Sequence, residues 1–307
     1  MNFLLSRLAS VLFVAFSVAT LVFALMYLAG GDPVDYMLGE FAKAADRDAL
    51  RARLGLDLPW YQQYLNFLRG VVVLDFGESF HYRKPVVTLI AQRLPATVEL
   101  AVAGLLVAIL IAVPLGTLAA IRRDTALDRG AMFFSLLGVS IPNFWLGPLL
   151  VLVFSLGLGW FPVSGRHGFA SLVLPAITLG TALAAILSRM VRSSLLEVLN
   201  EDYIRVARAK GLHPFTVVTK HAMRNALLPV LTLLGLQLGA LLGGAVITET
   251  VFSWPGIGKL TVDAILSRDY PVVQACVLLI SITYVVVNLL TDLVYAWVDP
   301  RIRVGGR

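Results

Sequence analysis

Charge is scarce in this sequence: only 14% of its 307 residues are Asp, Glu, Lys or Arg, where about a quarter is usual in a soluble domain. Together with a mean hydropathy of +0.84, that scarcity excludes a soluble globular protein and leaves a polytopic membrane protein. Cysteine is almost missing. The single Cys276 sits inside an apolar run, which excludes an internal disulfide and a cysteine-cluster metal site and marks it as a small buried hydrophobe. Histidine is limited to His81, His167, His213 and His221. His213 and His221 are eight apart and could share a helix side, but they are expected as surface residues, and no metal site is expected. Neither H-E-x-x-H nor G-x-S-x-G occurs. GIGKLT at residues 256–261 fails the phosphate-loop pattern, with Ser253 where the first glycine belongs and Leu260 where Ser or Thr belongs. Low-complexity sequence and internal repeats are absent as well. The net charge of +6 therefore reports membrane topology rather than nucleic-acid binding.

Long apolar runs are what the sequence has in abundance. A bilayer core takes about 20 apolar residues in a helix, and six stretches qualify: residues 8–29, 100–121, 131–156, 171–187, 226–248 and 272–298. The first follows Arg7 as a signal peptide would, but it is long for one and Gly30-Gly31-Asp32-Pro33 is a poor cleavage site, so it is read as a span. With the N-terminus inside, 14 of the 25 basic residues face the cytoplasm, and only Arg166, Lys259 and Arg268 fall in short outer loops. The remaining eight lie in a long outer segment, where they meet eight acidic residues. Six transmembrane helices with both termini cytoplasmic is the consistent solution. Within the outer segment, LPWYQQYLNFLRGVVVLDF at residues 58–76 is amphipathic and aromatic, which predicts short helices at the membrane interface.

Prolines 114, 142, 148, 175 and 229 fall inside the spans, where the backbone groups they free need neighbouring helices or a water-lined cavity. GLQLGALLGG at residues 235–244 permits close helix contact or a moving pathway. Asn288 and Asp292, four apart near the inner end of the last span, are expected to share one face in a structural role with Arg301 or Arg303.

One polar segment stands out between the fourth and fifth spans: EDYIRVARAKGLHPFTVVTKHAMRNALLP, residues 201–229. Asp202 suits an N-cap, helix formers continue to Lys210, Gly211 suits a left-handed C′ position, and Pro214 suits the first turn of a second helix. On a helical wheel Tyr203, Ile204, Val206 and Ala207 form one apolar arc with Arg205 and Arg208 opposite. Two readings follow. Either the cations touch anionic lipid headgroups, or the helix docks on a partner protein.

Residues 202–229 resemble the cytoplasmic signature of permease subunits of binding-protein-dependent ABC importers: an alanine-containing helix, a glycine, then a fixed spacing to Leu-Pro. The general pattern is E-A-A-x-x-x-G. Here Arg205, Val206 and Ala207 occupy its first three positions before Gly211, so the segment is similar instead to the D-Y-x-R-x-A-x-A-K-G-L variant of the dipeptide, oligopeptide, glutathione and nickel importers. GGDP at 30–33 (with Gly30 in place of the more usual Pro), LGLDLPWYQQYL at 54–65, LDFGESF at 74–80, RLPATVELA at 93–101, ETVFSWPGIGKLTVDAILSRDYPVVQ at 249–274 and DPRIR at 299–303 resemble the same branch in the same order.

The resemblance implies an all-α, type I ABC importer permease fold in a bacterial inner membrane. Its expected parts are an N-terminal transmembrane helix (1–29), an extracytoplasmic segment (30–94), a permease domain (95–298) with a coupling helix at about 201–213, and a cytoplasmic tail (299–307). It further implies that Asp202, Tyr203, Arg205, Ala207, Arg208, Ala209, Lys210, Gly211, Arg224, Asn225 and Pro229 couple the permease to its ATPase. Glu249, Trp254, Pro255, Gly256, Asp269, Tyr270 and Pro271 become outer-loop or pathway residues. The implied partners are a second, related permease, one or two ABC ATPase subunits, an extracytoplasmic substrate-binding protein and membrane lipid, with no nucleic acid. This chain itself would bind no cofactor and be no enzyme, ATP and Mg²⁺ belonging to the partner subunits. Di- or oligopeptides are the expected substrate, with glutathione and nickel as alternatives, and the lack of clustered His or Cys in the spans disfavours nickel. An ion-coupled secondary transporter would need acidic residues at mid-membrane, yet the only span acids, Glu99 and Asp292, lie near span ends.

Overall fold

The computed structural model describes residues 2–28, 33–38 and 43–298, and the side chains of residues 2–9, 26, 33, 36, 240, 242–244 and 292–298 lie outside the description. The expectations for Gly30, for the side chain of Asp292, and for Arg301 and Arg303 therefore fall outside the described residues. Among the described residues there are thirteen α-helices and no strand, and two helices are extended by π-helical turns. The chain divides into two units, one formed by residues 1–97 and 255–286 and the other by 98–254 and 287–307.

In the first unit, α1 (Asn2–Leu28), α2 (Pro33–Leu38), α3 (Ala44–Leu54) and α4 (Trp60–Val73) precede the start of α5 (Val86–Ile121). Two of the aromatic residues that mark 58–76 as interfacial, Tyr64 and Phe67, serve one contact: α4 lies along α1. Thr20 and Tyr64 share a hydroxyl–hydroxyl hydrogen bond of 2.7 Å, and the Phe23 ring sits 5.2 Å from Tyr64 and 5.8 Å from Phe67. A second short helix, α12 (Ile257–Leu266), and the start of α13 (Tyr270–Val298) complete the unit. Its core gathers Val86, Leu89, Ile257, Leu260, Val272 and Cys276, so the lone cysteine is buried as expected.

The second unit is built around α8 (Phe169–Leu199). Gly104, Ala108, Ala112, Gly116 and Ala120 recur at every fourth residue of α5 and are all buried, giving α5 one smooth face on which another helix can come close. A Cβ at Gly116 would stand 2.5 Å from the Ser188 carbonyl oxygen, and one at Gly180 the same distance from that of Gly104. The two backbones therefore touch. On an adjoining face α8 meets α6 (Ala126–Ser140), where the Ser135 and Ser188 hydroxyls pair at 2.7 Å, each also bonded to a carbonyl of its own helix. Gly235 in α11 (Met223–Val251) likewise leaves no room for a side chain beside Thr291 of α13, so this end of GLQLGALLGG serves close packing.

Among the described residues, four helices are long and apolar enough to cross a membrane: Val86–Ile121, Phe169–Leu199, Pro214–Gly239 and Tyr270–Thr291. In α1 the apolar stretch is Ser10–Leu25. The third expected span departs from a single helix. It splits into α6 and α7 (Asn143–Leu150, continued as a π-helical stretch Val151–Gly157), which meet at 105°. Pro142 is the cause: it supplies no N–H, and its ring drives the preceding Ile141 into an extended conformation at φ −88°, ψ 114°.

Candidate functional site

The segment between α8 and α11 folds as the sequence suggests, with two corrections. The short helix α9 runs over Asp202–Ala209, but its N-cap is Glu201 and Asp202 is its first helical residue. An acidic side chain at that position still faces the positive helix end, and it pairs with Arg205 at 3.2 Å. At the other end Gly211 takes φ +77°. Its N–H donates to the Arg208 carbonyl at 3.0 Å, and the Leu212 N–H reaches the Ala207 carbonyl at 3.4 Å. These two bonds close the helix as a left-handed glycine cap does. Pro214 then opens the next helical stretch, α10 (Pro214–Thr216), with His213 as its N-cap; the His213 Nδ1 accepts from the Phe215 N–H at 3.3 Å. A π-helical stretch, Val217–Ala222, joins α10 to α11.

The second correction concerns which face of α9 is free. The apolar arc divides. Ile204 and Ala207 are buried with Leu195, Val217, Ala222 and Ala226 in a cluster of this chain's own residues. Ala207 is small because α9 sits closely on its own unit, and it is not available to a partner. Tyr203 and Val206 are exposed, as are Leu212 and Phe215 beyond the helix. Arg205, Arg208, Ala209, Lys210 and Arg224 are exposed around them. Asn225 donates to the Tyr203 hydroxyl at 2.8 Å, which fastens the outer side of α9 to the first turn of α11. Pro229 lies inside α11 and is half-buried. The product is a rigid, two-turn helix that presents apolar groups ringed by cations.

Behind this surface stands a pair that the sequence reading passed over. Arg192 of α8 grips Asp128 in the first turn of α6 with two charge-assisted bonds, Nε to Oδ1 at 2.6 Å and Nη2 to Oδ2 at 2.7 Å, and the Asp124 N–H adds a third at 2.9 Å. Asp128 is buried, so removing either partner leaves an uncompensated group. The pair locks the start of α6 onto α8 one turn before Leu195, which packs under α9. Its signal in the sequence is weak: an acid and an arginine 64 residues apart, both assigned to the inner side.

The outer-loop residues are placed differently. In the second unit Glu249 and Trp254 are fully buried, with the Trp254 N–H donating to the Glu249 carbonyl at 2.8 Å. The Arg166 guanidinium lies 6.0 Å from the Trp254 ring and bonds the Glu99 carboxylate at 2.6 and 2.8 Å. In the first unit Gly256 caps α12, and Tyr270 and Pro271 open α13, where a proline's missing N–H costs nothing. Pro255 is half-buried. Asp269 is fully buried and acts as a clamp. Its carboxylate accepts from the Ser79 hydroxyl at 2.5 Å and from the Phe80 and His81 N–H groups at 3.1 Å each. Ser79 Oγ in turn accepts from the Tyr82 N–H at 2.8 Å.

Long apolar helices packed through small residues, with a stapled, cation-rimmed helix between two of them, mark a polytopic membrane protein. The chain belongs to the family of binding-protein-dependent transport system inner membrane components, whose model matches residues 112–304; the model of that family's N-terminal region matches residues 1–101. It is therefore the inner-membrane permease component of an ABC importer. It is 45% identical to the di/tripeptide transport system permease protein DppB of Pseudomonas aeruginosa, with 99% of each chain covered. To the dipeptide permease DppB of Escherichia coli K12 it is 44% identical, and to the glutathione permease GsiC of the same strain 42%, again with 99% of each chain covered. Among solved structures it is similar in fold to an inward-facing MetNI methionine ABC transporter, with a TM-score of 0.60 at 20% identity over 69% of this chain and 96% of that one.

Proposed function

We propose that this chain and a second, related permease subunit together form the path by which di- and oligopeptides, delivered by an extracytoplasmic binding protein, cross the inner membrane. Both termini lie in the cytoplasm, and ATP with Mg²⁺ is hydrolysed on one or two separate subunits. The observation that carries this reading is α9. Its inner face is fixed to the permease by Ile204 and Ala207, while Tyr203, Val206, Leu212 and Phe215 stay exposed among cations. Such a surface suits a protein partner better than headgroups, because a rigid helix with a small apolar centre and a charged rim is how helices dock on proteins. Peptide as the substrate is supported by full-length similarity to two permeases named for di- and tripeptides. Glutathione, itself a tripeptide, is the second reading, because a permease named for it matches over the same length.

Reconstitution with the second permease, the ATPases and the binding protein in proteoliposomes tests this. Labelled L-alanyl-L-phenylalanine should enter only with ATP and all partners present, and the chain alone should hydrolyse no ATP. Hydrolysis by the chain alone, or peptide entry without the ATPases, contradicts the proposal. Entry of glutathione but of no other peptide favours the second reading.

A further inference from the structure

The first unit carries an open cleft of about 1010 Å³ between α3, α4, residues 75–83 and the start of α13. That volume is at the upper end for small-molecule sites. Three arginines line it, Arg53, Arg69 and Arg83, and none of them has a carboxylate partner among the described residues. Nearby arginines on α3 are paired, Arg47 with Asp35 and Arg51 with Asp48, so the unit's acids are not in short supply. Two further acids, Asp75 and Glu78, also line the cavity, and Leu50, Leu54 and Phe67 supply apolar wall.

One wall is built stiffly. Asp269 holds residues 79–81 from behind, the Ser79 N–H donates to the Lys84 carbonyl at 2.9 Å, and the Arg83 N–H donates to the Ser79 carbonyl at 3.0 Å. Arg83 is thereby kept at φ +52°, a left-handed conformation that costs a residue with a side chain and persists only where its surroundings impose it. The strain is located where a guanidinium meets the cavity.

We propose that this cavity is a holding site for a short zwitterionic peptide on its way into the permease. The proposal rests on the peptide-import reading above. The peptide's carboxylate pairs with Arg53, Arg69 or Arg83, its ammonium group with Asp75 or Glu78, and its side chains lie on the apolar wall. Both signs of charge in one cavity favour a zwitterion over an anionic lipid, which Asp75 and Glu78 would repel.

The test uses the full chain in phosphatidylcholine nanodiscs and equilibrium binding of tritiated L-alanyl-L-phenylalanine. Saturable binding is expected. L-alanyl-L-phenylalaninamide and the N-acetyl dipeptide, each lacking one charge, should compete at least about fivefold more weakly, as the loss of a charge-assisted contact implies. Combined Arg53→Gln, Arg69→Gln and Arg83→Gln should weaken binding by about tenfold or more without moving the melting temperature, since all three side chains are exposed. Uptake by the assembled wild-type transporter is measured in parallel. Uptake without saturable binding, or binding indifferent to the three arginines, overturns the cavity proposal alone. Arginine-dependent retention of phosphatidylglycerol in place of dipeptide overturns it in favour of a lipid site. Failure of the wild type to take up any peptide overturns the reading on which it rests.

Discussion

In the segment expected inside, residues 201–229, the polar side chains are turned outward: Arg205, Arg208, Lys210 and Arg224 are exposed, and among the described residues only Arg205 of these has an ion-pair partner, the equally exposed Asp202. In the segment expected outside, residues 249–271, Glu249 and Trp254 of the second unit are fully buried, and so, within the first unit, is Asp269. Both segments resemble the same family, so equal legibility in sequence conceals opposite physical duties. Charges that remain solvated cost little to display and are free to meet another protein, whereas a buried carboxylate is tolerable only when its own chain satisfies it. The inner segment is therefore a surface and the outer one a scaffold.

The sharpest way to break this contrast is to remove Asp269. Asp269→Ala strips the acceptors from the buried Ser79 hydroxyl and from the backbone N–H groups of Phe80 and His81, for a loss of about 1–3 kcal/mol per donor left buried and unsatisfied. A large fall in melting temperature and in the amount of protein in the membrane is expected, with Asp269→Asn between the two. Near-wild-type stability of Asp269→Ala would make the outer segment a surface too.

A smaller effect on stability, and a larger one on assembly, is expected inside. Arg205→Glu with Arg208→Glu should leave the melting temperature almost unchanged, because exposed pairs are worth at most about 1 kcal/mol. Co-purification of the ATPase subunits should weaken, and its salt dependence should change over the range where screening lengths pass through about 10 Å. A double variant that loses stability but keeps its ATPases would reverse the assignment of the two segments.

Much of this was readable in advance, and the unread part has a physical pattern. The apolar helices, the helix at α4, the Gly211 cap and the start at Pro214 follow from hydropathy and local backbone chemistry, which a short window contains. The division of α9's apolar arc does not. Ile204 and Val206 stand at opposite edges of that arc, about 160° apart, and only the distant Leu195, Val217 and Ala226 decide which edge turns inward. Asp269 is named from the sequence only as an outer-loop or pathway residue, and its role as a clamp is not legible there because its partners lie about 190 residues away. The Asp128–Arg192 pair was missed for the same cause. Pro142 was visible as a breaker, but whether a proline kinks a span or splits it at 105° depends on what packs around it. The ten-residue α12 fell below the length at which apolar periodicity separates helix from loop.

Gly211 offers the most direct test of the claim that residues 201–229 form the docking surface for an ATPase. It holds φ +77°, and a Cβ there would meet nothing of this chain within 4 Å. Any side chain costs about 1 kcal/mol of backbone strain, but only a partner can feel its bulk. Co-purification of the ATPase subunits should therefore be kept largely by Gly211→Ala and lost by Gly211→Leu, with both variants at normal levels in the membrane. If Gly211→Leu retains its ATPases as the wild type does, α9 is a lipid-facing turn and the account of this permease is wrong at its centre.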